Sequence, residues 1–445
     1  MNEKNELITG KVGKTLIFFA IPYLLSSFMQ TFYGMADLFI TGLYNGSATI
    51  TAVSVGSQVM HMLTVILLGF AMGTTVRIGR AVGAGDKRAA AQTMGTTGVF
   101  FMGFACVLTA VLFVMTKGIT RIILVPADAA KETVTYLRIC FLGIPFITAY
   151  NVISSLFRGT GDSRSPMYFV AVACVVNIVL DFLFIGVWDM GAAGAALGTI
   201  LGQGVSVAVA LVMFKRKDFG FAMNRQAMRP NRQILSDILN VGAPIALQDG
   251  LIQVAFMVIT VIANSRGLIA AASVGIVEKL IGFMFLVPSS FLSAISAVTA
   301  QNMGAGKPER ARQSLYYGLM ITVGWGVLCS VYNQFLPQTL IGLFTQEEQV
   351  LAAGCDYMRA YCFDTIFAGI HFCFSGYFCG DQKSGISFLH NIIAILTMRI
   401  PGAYAASRLF PETLYPMGWA APLGSLISAA ICVGFYVHFR REEKR

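Results

Sequence analysis

Long apolar stretches separated by short polar joints run along the whole chain of 445 residues. Each stretch is long enough, or nearly so, to cross a ~30 Å hydrocarbon core as a helix, which takes about 20 residues. Alternating apolar and polar positions, the pattern of a membrane β-barrel, are not the pattern seen. The apolar stretches predict twelve membrane-spanning helices, at about 14–41, 50–78, 91–116, 132–157, 165–187, 191–214, 235–263, 268–299, 313–336, 351–378, 384–408 and 416–438.

The two halves of the chain repeat each other. Gly83-Ala84-Gly85 returns 221 positions later as Gly304-Ala305-Gly306, and Tyr136-Leu137-Arg138 returns as Tyr357-Met358-Arg359 at the same offset. A repeat held over most of the length indicates two structurally similar halves, and in an apolar chain it is typical of a transporter. We therefore predict an all-α integral membrane protein with two six-helix lobes, residues 1–220 and 221–445.

The even number of spans in each half fixes the expected symmetry. The second half enters the membrane in the same orientation as the first, so a pseudo-two-fold axis along the membrane normal should relate the lobes. A substrate site between the lobes, near the midplane, and transport by alternating access follow from this architecture.

Composition and charge agree with a multi-pass membrane protein. Hydrophobic residues make up 56% and charged residues 12%, against roughly 25% charged in soluble domains. Of the 32 Lys and Arg residues, 23 lie at the termini and in alternate joints and only five in the opposite joints. This positive-inside bias predicts that both termini are cytoplasmic, and it accounts for the net charge without nucleic-acid binding. We expect a monomer in contact with membrane lipids in a bacterial or archaeal cytoplasmic membrane.

Two acidic residues lie within predicted spans of the first half. An ionisable residue there costs about 2.5–3.5 kcal/mol on insertion scales, so each is a candidate for function. Asp37 is four residues from Tyr33 and Asp181 is four from Asn177, so each acid shares a helix face with a neutral hydrogen-bonding group. These four side chains are expected to form a polar cluster in the N-terminal lobe.

The repeat register supports a functional role for this cluster. It places Val258 or Ile259 opposite Asp37, and Pro401 or Gly402 opposite Asp181. Acids that only held the fold together would be expected in both lobes, so their absence from the second half favours function.

Several motifs resemble the multidrug and toxic compound extrusion (MATE) family over essentially the whole chain. They are the Gly-Ala-Gly turns, Ile21-Pro22, the segment Gln30-Thr31-Phe32-Tyr33-Gly34-Met35-Ala36-Asp37, Arg158-Gly159-Thr160-Gly161-Asp162 and Asn177-Ile178-Val179-Leu180-Asp181. The paired aspartates resemble the DinF-like branch of this family.

The resemblance implies an antiporter that exchanges drugs for cations at a site in the N-terminal lobe. Asp37 and Asp181 would be the coupling carboxylates, and Tyr33, Asn177 and Thr199 would complete their hydrogen-bond network. Pro22 would be a bending point, and Gln30 and Asn151 would face the cavity. The coupling ion is H⁺ or Na⁺, between which the sequence does not choose, and no other cofactor is expected.

Lipophilic organic cations or drugs are the expected substrates, because an acidic cavity with adaptable Met and aromatic side chains attracts them. A lipid-linked oligosaccharide flippase of the same superfamily is the first alternative, although its pyrophosphate cargo calls for basic residues in the cavity. An integral-membrane enzyme and a channel are further alternatives. The chain lacks the HExxH and GxSxG motifs of common membrane-bound hydrolases.

The second half carries three acids of its own within predicted spans, Asp249, Glu278 and Asp364. A second cation or substrate-anchoring site there stays open. No metal site is predicted, because the histidines lie singly; His61, His371 and His390 are expected to be buried, neutral and hydrogen-bonded.

Overall fold

The computed structural model describes residues 6–217, 219 and 229–443, and these residues contain helices and no strand. The predicted lobe boundary at 220/221 lies outside the described residues. The helices of the first half are α1 (Glu6–Thr9), α2 (Val12–Tyr44), α3 (Ser47–Gly83), α4 (Lys87–Ile122), α5 (Ala127–Leu142), α6 (Ile144–Gly159), α7 (Arg164–Asp181), the π-helical segment Phe182–Val187 and α8 (Gly191–Arg216).

The second half begins with a helix that matches α2 in length. Its helices are α9 (Arg232–Asn264), α10 (Leu268–Met284), α11 (Leu286–Gly304), α12 (Pro308–Phe335), α13 (Pro337–Ile341), α14 (Glu348–Tyr361), α15 (Asp364–Gly380), α16 (Ser384–Ala394), the π-helical segment Ile395–Arg399, α17 (Ile400–Leu409), α18 (Tyr415–Gly418) and α19 (Ala420–Glu442).

Within the described residues, ten helical stretches are long and apolar enough to cross a membrane, and two bent helix pairs raise the number to twelve. These twelve stretches coincide with the twelve predicted spans, so the predicted all-α membrane architecture is confirmed. Large apolar side chains such as Phe39, Val114 and Leu268 are exposed on the helix surfaces. Such exposure is expected where the surroundings are lipid.

Irregular helices occur at equivalent places in the two halves. The fourth span is the pair α5 and α6, bent by 45° at Gly143, and the tenth is the pair α14 and α15, bent by 42°. The fifth and eleventh spans each contain a π-helical segment. π-Helical turns interrupt the regular hydrogen-bond ladder and are frequent at functional sites.

The contacts divide the chain into two compact units. The N-terminal unit contains Ile21–Gly242, and the C-terminal unit contains the residues before Ile21 and those from Ala243 onward. Both changes of unit fall directly before an X-Pro pair, inside α2 at Ile21-Pro22 and inside α9 at Ala243-Pro244.

Candidate functional site

Asp37 and Asp181 are buried together inside the N-terminal unit. Asp37 lies in the last third of α2, and Asp181 is the last residue of α7, directly before the π-helical segment Phe182–Val187. Their side chains are 4% and 0% exposed, and the two carboxyl groups lie close enough for their charges to interact. We call Asp37 and Asp181 the carboxylate pair.

Each member of the carboxylate pair receives a hydrogen bond from a neutral side chain. The hydroxyl of Thr199 on α8 donates to Asp37 Oδ2 at 3.3 Å, and the amide of Asn177 donates to Asp181 Oδ2 at 3.4 Å. The structure therefore brings Asp37, Asp181, Asn177 and Thr199 into one cluster, as the motifs predict.

Helix α8 approaches the carboxylate pair through its glycine face. A Cβ atom at Gly198 would overlap Asp181 Oδ1. A Cβ atom at Gly202, one turn later, would lie 3.0 Å from the carbonyl oxygen of Ala173 and 3.2 Å from Asn177 Cβ. These two glycines let α8 pack directly against α7 and so bring Thr199 within reach of Asp37.

Three oxygen atoms of the cluster have no hydrogen-bond donor among the described residues. They are Asp37 Oδ1, Asp181 Oδ1 and Asn177 Oδ1, and all three are buried. A buried acceptor without a partner is costly, and two adjacent carboxylates add charge repulsion. Carboxylate, amide and hydroxyl oxygens are also the ligands that hard cations prefer. The cluster can therefore hold a proton or a small hard cation.

A further set of polar side chains adjoins the carboxylate pair. The half-buried Tyr33 interacts with Asp37, Gln203 and Tyr150, and Tyr150 interacts in turn with Gln30. Besides Asp37, two of these side chains, Tyr33 and Gln30, belong to the predicted site. Tyr33 interacts with Asp37 directly, whereas Gln30 is linked to it through Tyr150 and Tyr33.

Three polar residues of this region, Gln203, Tyr136 and Tyr150, are not among the predicted site residues. Gln203 lies four positions after Thr199 on α8, a spacing that puts both on one face. Tyr136 on α5 is 2% exposed and interacts electrostatically with Asp37. Of these three residues, only Gln203 has a helical spacing in the sequence that points to the site. Arg158, which belongs to one of the motifs named above, has its guanidinium 3.9 Å from the ring centroid of Tyr23.

Pro22 and Asn151 take part in hydrogen bonds within their own helices. Helix α2 continues through Pro22, whose carbonyl oxygen accepts a hydrogen bond of 2.7 Å from Ser26. Asn151 is buried and donates to the carbonyl oxygen of Ile147 in its own helix at 2.9 Å. The roles predicted for Pro22 and Asn151 stay predictions.

The three acids of the C-terminal unit have different surroundings. Asp364 is fully buried and accepts a hydrogen bond of 2.9 Å from Arg399 in the π-helical segment Ile395–Arg399. Glu278 is half-buried, accepts from Thr260 at 3.3 Å and interacts electrostatically with Arg399. Asp364 and Glu278 thus share one guanidinium.

Asp249 belongs to a different part of the C-terminal unit. It is half-buried and interacts with Gln248 and with Cys379 on α15. No group of three or more His, Cys, Asp or Glu side chains within the described ranges could hold a metal ion. His371 and His390 are buried as expected, but the prediction that His61 is buried is wrong, since its side chain on α3 is exposed.

The joint between α6 and α7 is fixed by the carboxyl group of Asp162. It accepts hydrogen bonds of 3.0 Å from the backbone N–H groups of Arg164 and Ser165 and forms an ion pair with Lys217. Burial alone would raise the pKa of Asp162, but Lys217 and Ser165 hold it below its ordinary value of 3.8.

Comparison with known proteins gives matches over both halves of the chain. A family model described as MatE matches residues 22–183 and again residues 244–405. The chain is 28% identical over 427 residues to the "Probable multidrug resistance protein YpnP" of Bacillus subtilis, which covers 96% of this chain and 94% of that protein. It is 25% identical over 408 residues to the "Multidrug export protein MepA" of Staphylococcus saprophyticus, covering 91% of this chain and 89% of that protein.

The fold also matches a solved structure over its full length. The crystal structure of a MATE protein in complex with MaL6 superposes with a TM-score of 0.93 at 21% identity, covering 100% of both chains. At this level of identity the match concerns the fold alone.

Proposed function

Because this chain belongs to the MatE family of multidrug and toxic compound extrusion transporters, we propose that it exports lipophilic organic cations in exchange for H⁺ or Na⁺ bound at the carboxylate pair. The protein is a multi-pass membrane transporter and not an enzyme. Its bacterial relatives support a location in the cell membrane.

The burial of Asp37 beside Asp181 is the observation that carries the proposal. Two like charges in a low-dielectric interior cannot both stay ionised without a counter-charge, and the described residues near them offer only neutral donors. A cation at the pair removes the repulsion and gives the buried oxygens of Asp37, Asp181 and Asn177 a partner. Thr199 and Asn177 then act as positioning residues that hold one oxygen of each carboxylate.

Cation binding and substrate export are coupled if the carboxylate pair has a different cation affinity when it is open to the outside than when it is open to the cytoplasm. A bound cation shifts the conformational equilibrium only by its differential affinity for the two states. We propose that external H⁺ or Na⁺ loads Asp37 and Asp181, bends α2 at Pro22 and releases the substrate outside. Substrate taken up from the cytoplasm then favours the cation-free pair, which gives alternating access.

The proposed substrate class rests on charge and on the relatives. A site that carries carboxylates attracts cations, and Phe and Met side chains, 34 and 21 in the chain, adapt to apolar ligands of varied shape. The relatives above are named as multidrug resistance and multidrug export proteins. Tyr33, beside Asp37, and Gln30, which interacts with Tyr150, are the proposed polar contacts of the bound cation or substrate.

The arrangement in the membrane follows from the placement of basic residues. The positive-inside bias supports cytoplasmic termini and a basic cytoplasmic joint between the halves. We further propose that the protein works as a monomer surrounded by lipid, because the carboxylate pair and its hydrogen-bonding partners all come from one chain.

Efflux of a fluorescent organic cation from proteoliposomes tests the proposal. The experiment imposes a pH gradient or a Na⁺ gradient separately and compares the wild type with Asp37→Asn and Asp181→Asn. Asp128→Asn is the matched control, because Asp128 is exposed in the first turn of α5. We expect both pair variants to lose gradient-driven efflux and the control to keep it. Wild-type rates in Asp37→Asn and Asp181→Asn would refute the proposal.

A further inference from the structure

Helix α2 passes from one unit to the other beside a proline. Its residues up to Ala20 belong to the C-terminal unit, and those from Ile21 onward belong to the N-terminal unit. Pro22 has no N–H group, so the carbonyl group of Phe18 lacks its usual partner in the helix. The carbonyl oxygen of Pro22 itself accepts a hydrogen bond of 2.7 Å from the hydroxyl of Ser26. The backbone hydrogen bonds of α2 are therefore interrupted at this turn, where side-chain contacts gain weight.

Tyr23, directly after Pro22, is in contact with Arg158 at the end of α6. The guanidinium of Arg158 lies 3.9 Å from the centroid of the Tyr23 ring, and both residues are 6% exposed. The electron-rich face of an aromatic ring attracts a guanidinium within about 6 Å, most strongly where water is excluded. The contact therefore joins the first turn of α2 inside the N-terminal unit to α6.

The charge of Arg158 has no acidic partner in the described parts of the chain. None of the ion pairs there includes Arg158, and its Nε atom is buried without a hydrogen-bond partner among the same residues. An arginine side chain stays charged in proteins, and a buried charge is costly without a partner. The ring of Tyr23 is the partner that the structure supplies, so the contact matters to Arg158 as well as to α2.

The backbone at Arg158 is held firmly in place. A Cβ atom at Gly159, the next residue, would lie 2.9 Å from Ile78 Cβ and 2.9 Å from the carbonyl oxygen of Thr75 on α3. Helix α6 thus packs directly against α3 at this point. Arg158 is a fixed point against which Tyr23 and the turn after Pro22 are positioned.

The contact is also linked to the carboxylate pair through other polar side chains. Arg158 interacts electrostatically with Tyr150, and Tyr150 interacts with Tyr33, which in turn interacts with Asp37. A change at the carboxylate pair and a change at the turn after Pro22 therefore act on one connected set of side chains.

The second half of the chain lacks this contact. Gly161-Asp162 returns as Gly380-Asp381, a register that places Tyr377 opposite Arg158. The residue after the X-Pro pair of α9 is Ile245, which has no aromatic ring. A contact that only held the fold together would be expected in both halves, so its restriction to the first half favours a role in the movement of α2.

We propose, building on the proposed function, that Arg158 is a positioning residue for transport. Its contact with Tyr23 holds α2 as the continuous helix seen here, and the contact opens when the coupling cation bends α2 at Pro22. Loss of a desolvated contact of this kind changes an equilibrium constant on the order of thirtyfold. The half-saturating concentration of H⁺ or Na⁺ should then fall by up to this factor, because more of the protein already populates the state that binds the cation.

Graded fluorination of the ring at position 23 tests the contact. Phenylalanine with no, one, two or three fluorine atoms is incorporated in place of Tyr23, and the half-saturating concentration of the coupling cation for efflux is measured in proteoliposomes. Fluorine withdraws electron density from the ring face and weakens its attraction for a cation, while the size of the ring hardly changes. A ring that only filled space would not respond to this series. Phenylalanine without fluorine is the reference, so loss of the hydroxyl does not enter the comparison.

Phe113 on α4 provides the matched control. Its ring centroid lies 5.4 Å from the guanidinium of Arg138 in the same unit. We expect the half-saturating concentration to fall at least about fivefold between no and three fluorine atoms at position 23, and to change by less than about twofold in the same series at position 113. In Arg158→Gln the series at position 23 should be flat.

A flat series at position 23 in the presence of Arg158 would overturn the proposal, and so would a series that is undiminished in Arg158→Gln. The series with Arg158 in place decides the question even where Arg158→Gln does not fold. If Asp37→Asn and Asp181→Asn transport normally and the fluorine series still has its effect, the role of Arg158 stands and the proposed coupling at the carboxylate pair fails. If both aspartate variants are inactive and the fluorine series is flat, the carboxylate pair stands and the role of Arg158 fails.

Discussion

Replacement of Gly198 by alanine tests how tightly α8 holds the carboxylate pair. The new Cβ atom would overlap Asp181 Oδ1, so the carboxyl group would have to move by about 1 Å to restore van der Waals contact. Asp181 has little freedom to move, because it is fully buried and Phe182 after it begins the π-helical segment. Overpacking of this kind costs about 1–3 kcal/mol.

If that cost falls on the cation-bound state, affinity for the coupling cation drops about 5- to 150-fold. The half-saturating concentration of H⁺ or Na⁺ for efflux from proteoliposomes should rise by this factor in Gly198→Ala. Thermal unfolding of the purified variant checks that the fold is retained.

Gly204 on the same helix provides the matched control. A Cβ atom there would have no neighbour within 4 Å. Both replacements gain helix propensity by up to about 1 kcal/mol, so their difference isolates the contact with Asp181. Half-saturating concentrations that agree within twofold for Gly198→Ala, Gly204→Ala and the wild type would refute the reasoning.

Three further predictions concern other contacts. Thr199→Val should slow gradient-driven efflux at least about tenfold, since a hydrogen bond to a charged group such as Asp37 contributes about 1.5–3 kcal/mol. Thr199→Ser keeps the hydroxyl and should retain most of the rate, so equal efflux rates in the two variants would contradict this prediction. Asp364→Asn and Arg399→Gln should each lower the free energy of unfolding by about 3–5 kcal/mol, because each leaves a buried partner of the ion pair alone. The double variant should lose less than the sum of the two single losses in denaturant unfolding, and strictly additive losses would show that the two side chains do not interact. Asp162→Asn should lower the unfolding temperature at pH 7, because a carboxyl group whose pKa is depressed by folding stabilises the folded state at any pH above its ordinary pKa. This stability is lost as the pH falls through the lower pKa of the folded state, so the difference in unfolding temperature from the wild type should vanish well below pH 3.8, and a pH-independent difference would contradict the assignment.

The spans were predictable because membrane helices leave a strong signal in sequence. An uninterrupted run of about twenty apolar residues is typical of a membrane-spanning helix, and the helical stretches Val12–Tyr44 and Leu268–Gly304 lie within a few residues of the predicted ones. The predicted repeat and the resemblance to the MATE family are confirmed by the two matches to the family model, which begin at Pro22 and Pro244.

The irregular parts of the helices were not predictable in the same way. The bend at Gly143 depends on packing, since a side chain there would overlap Ile200 on another helix. The π-helical segments that follow Asp181 and contain Arg399 also leave no period in the sequence that distinguishes them from ordinary helix.

The candidate site was partly predictable because its members share helix faces. Asn177 and Asp181 are four apart on α7, which sequence shows, whereas Thr199 entered only through the resemblance. The ion pair between Asp364 and Arg399 joins residues 35 positions apart, and neither spacing nor composition selects that partner over another.

The number of cations displaced when substrate binds is the most direct test of coupling at the carboxylate pair. Calorimetric titration of purified protein with an organic cation, repeated in buffers of different ionisation enthalpy and at several Na⁺ concentrations, gives this number. We predict release of about one H⁺ or one Na⁺ per substrate by the wild type, and none by Asp37→Asn or Asp181→Asn. Unchanged release by both variants would contradict the account, because the displaced cation would then be bound somewhere other than the carboxylate pair.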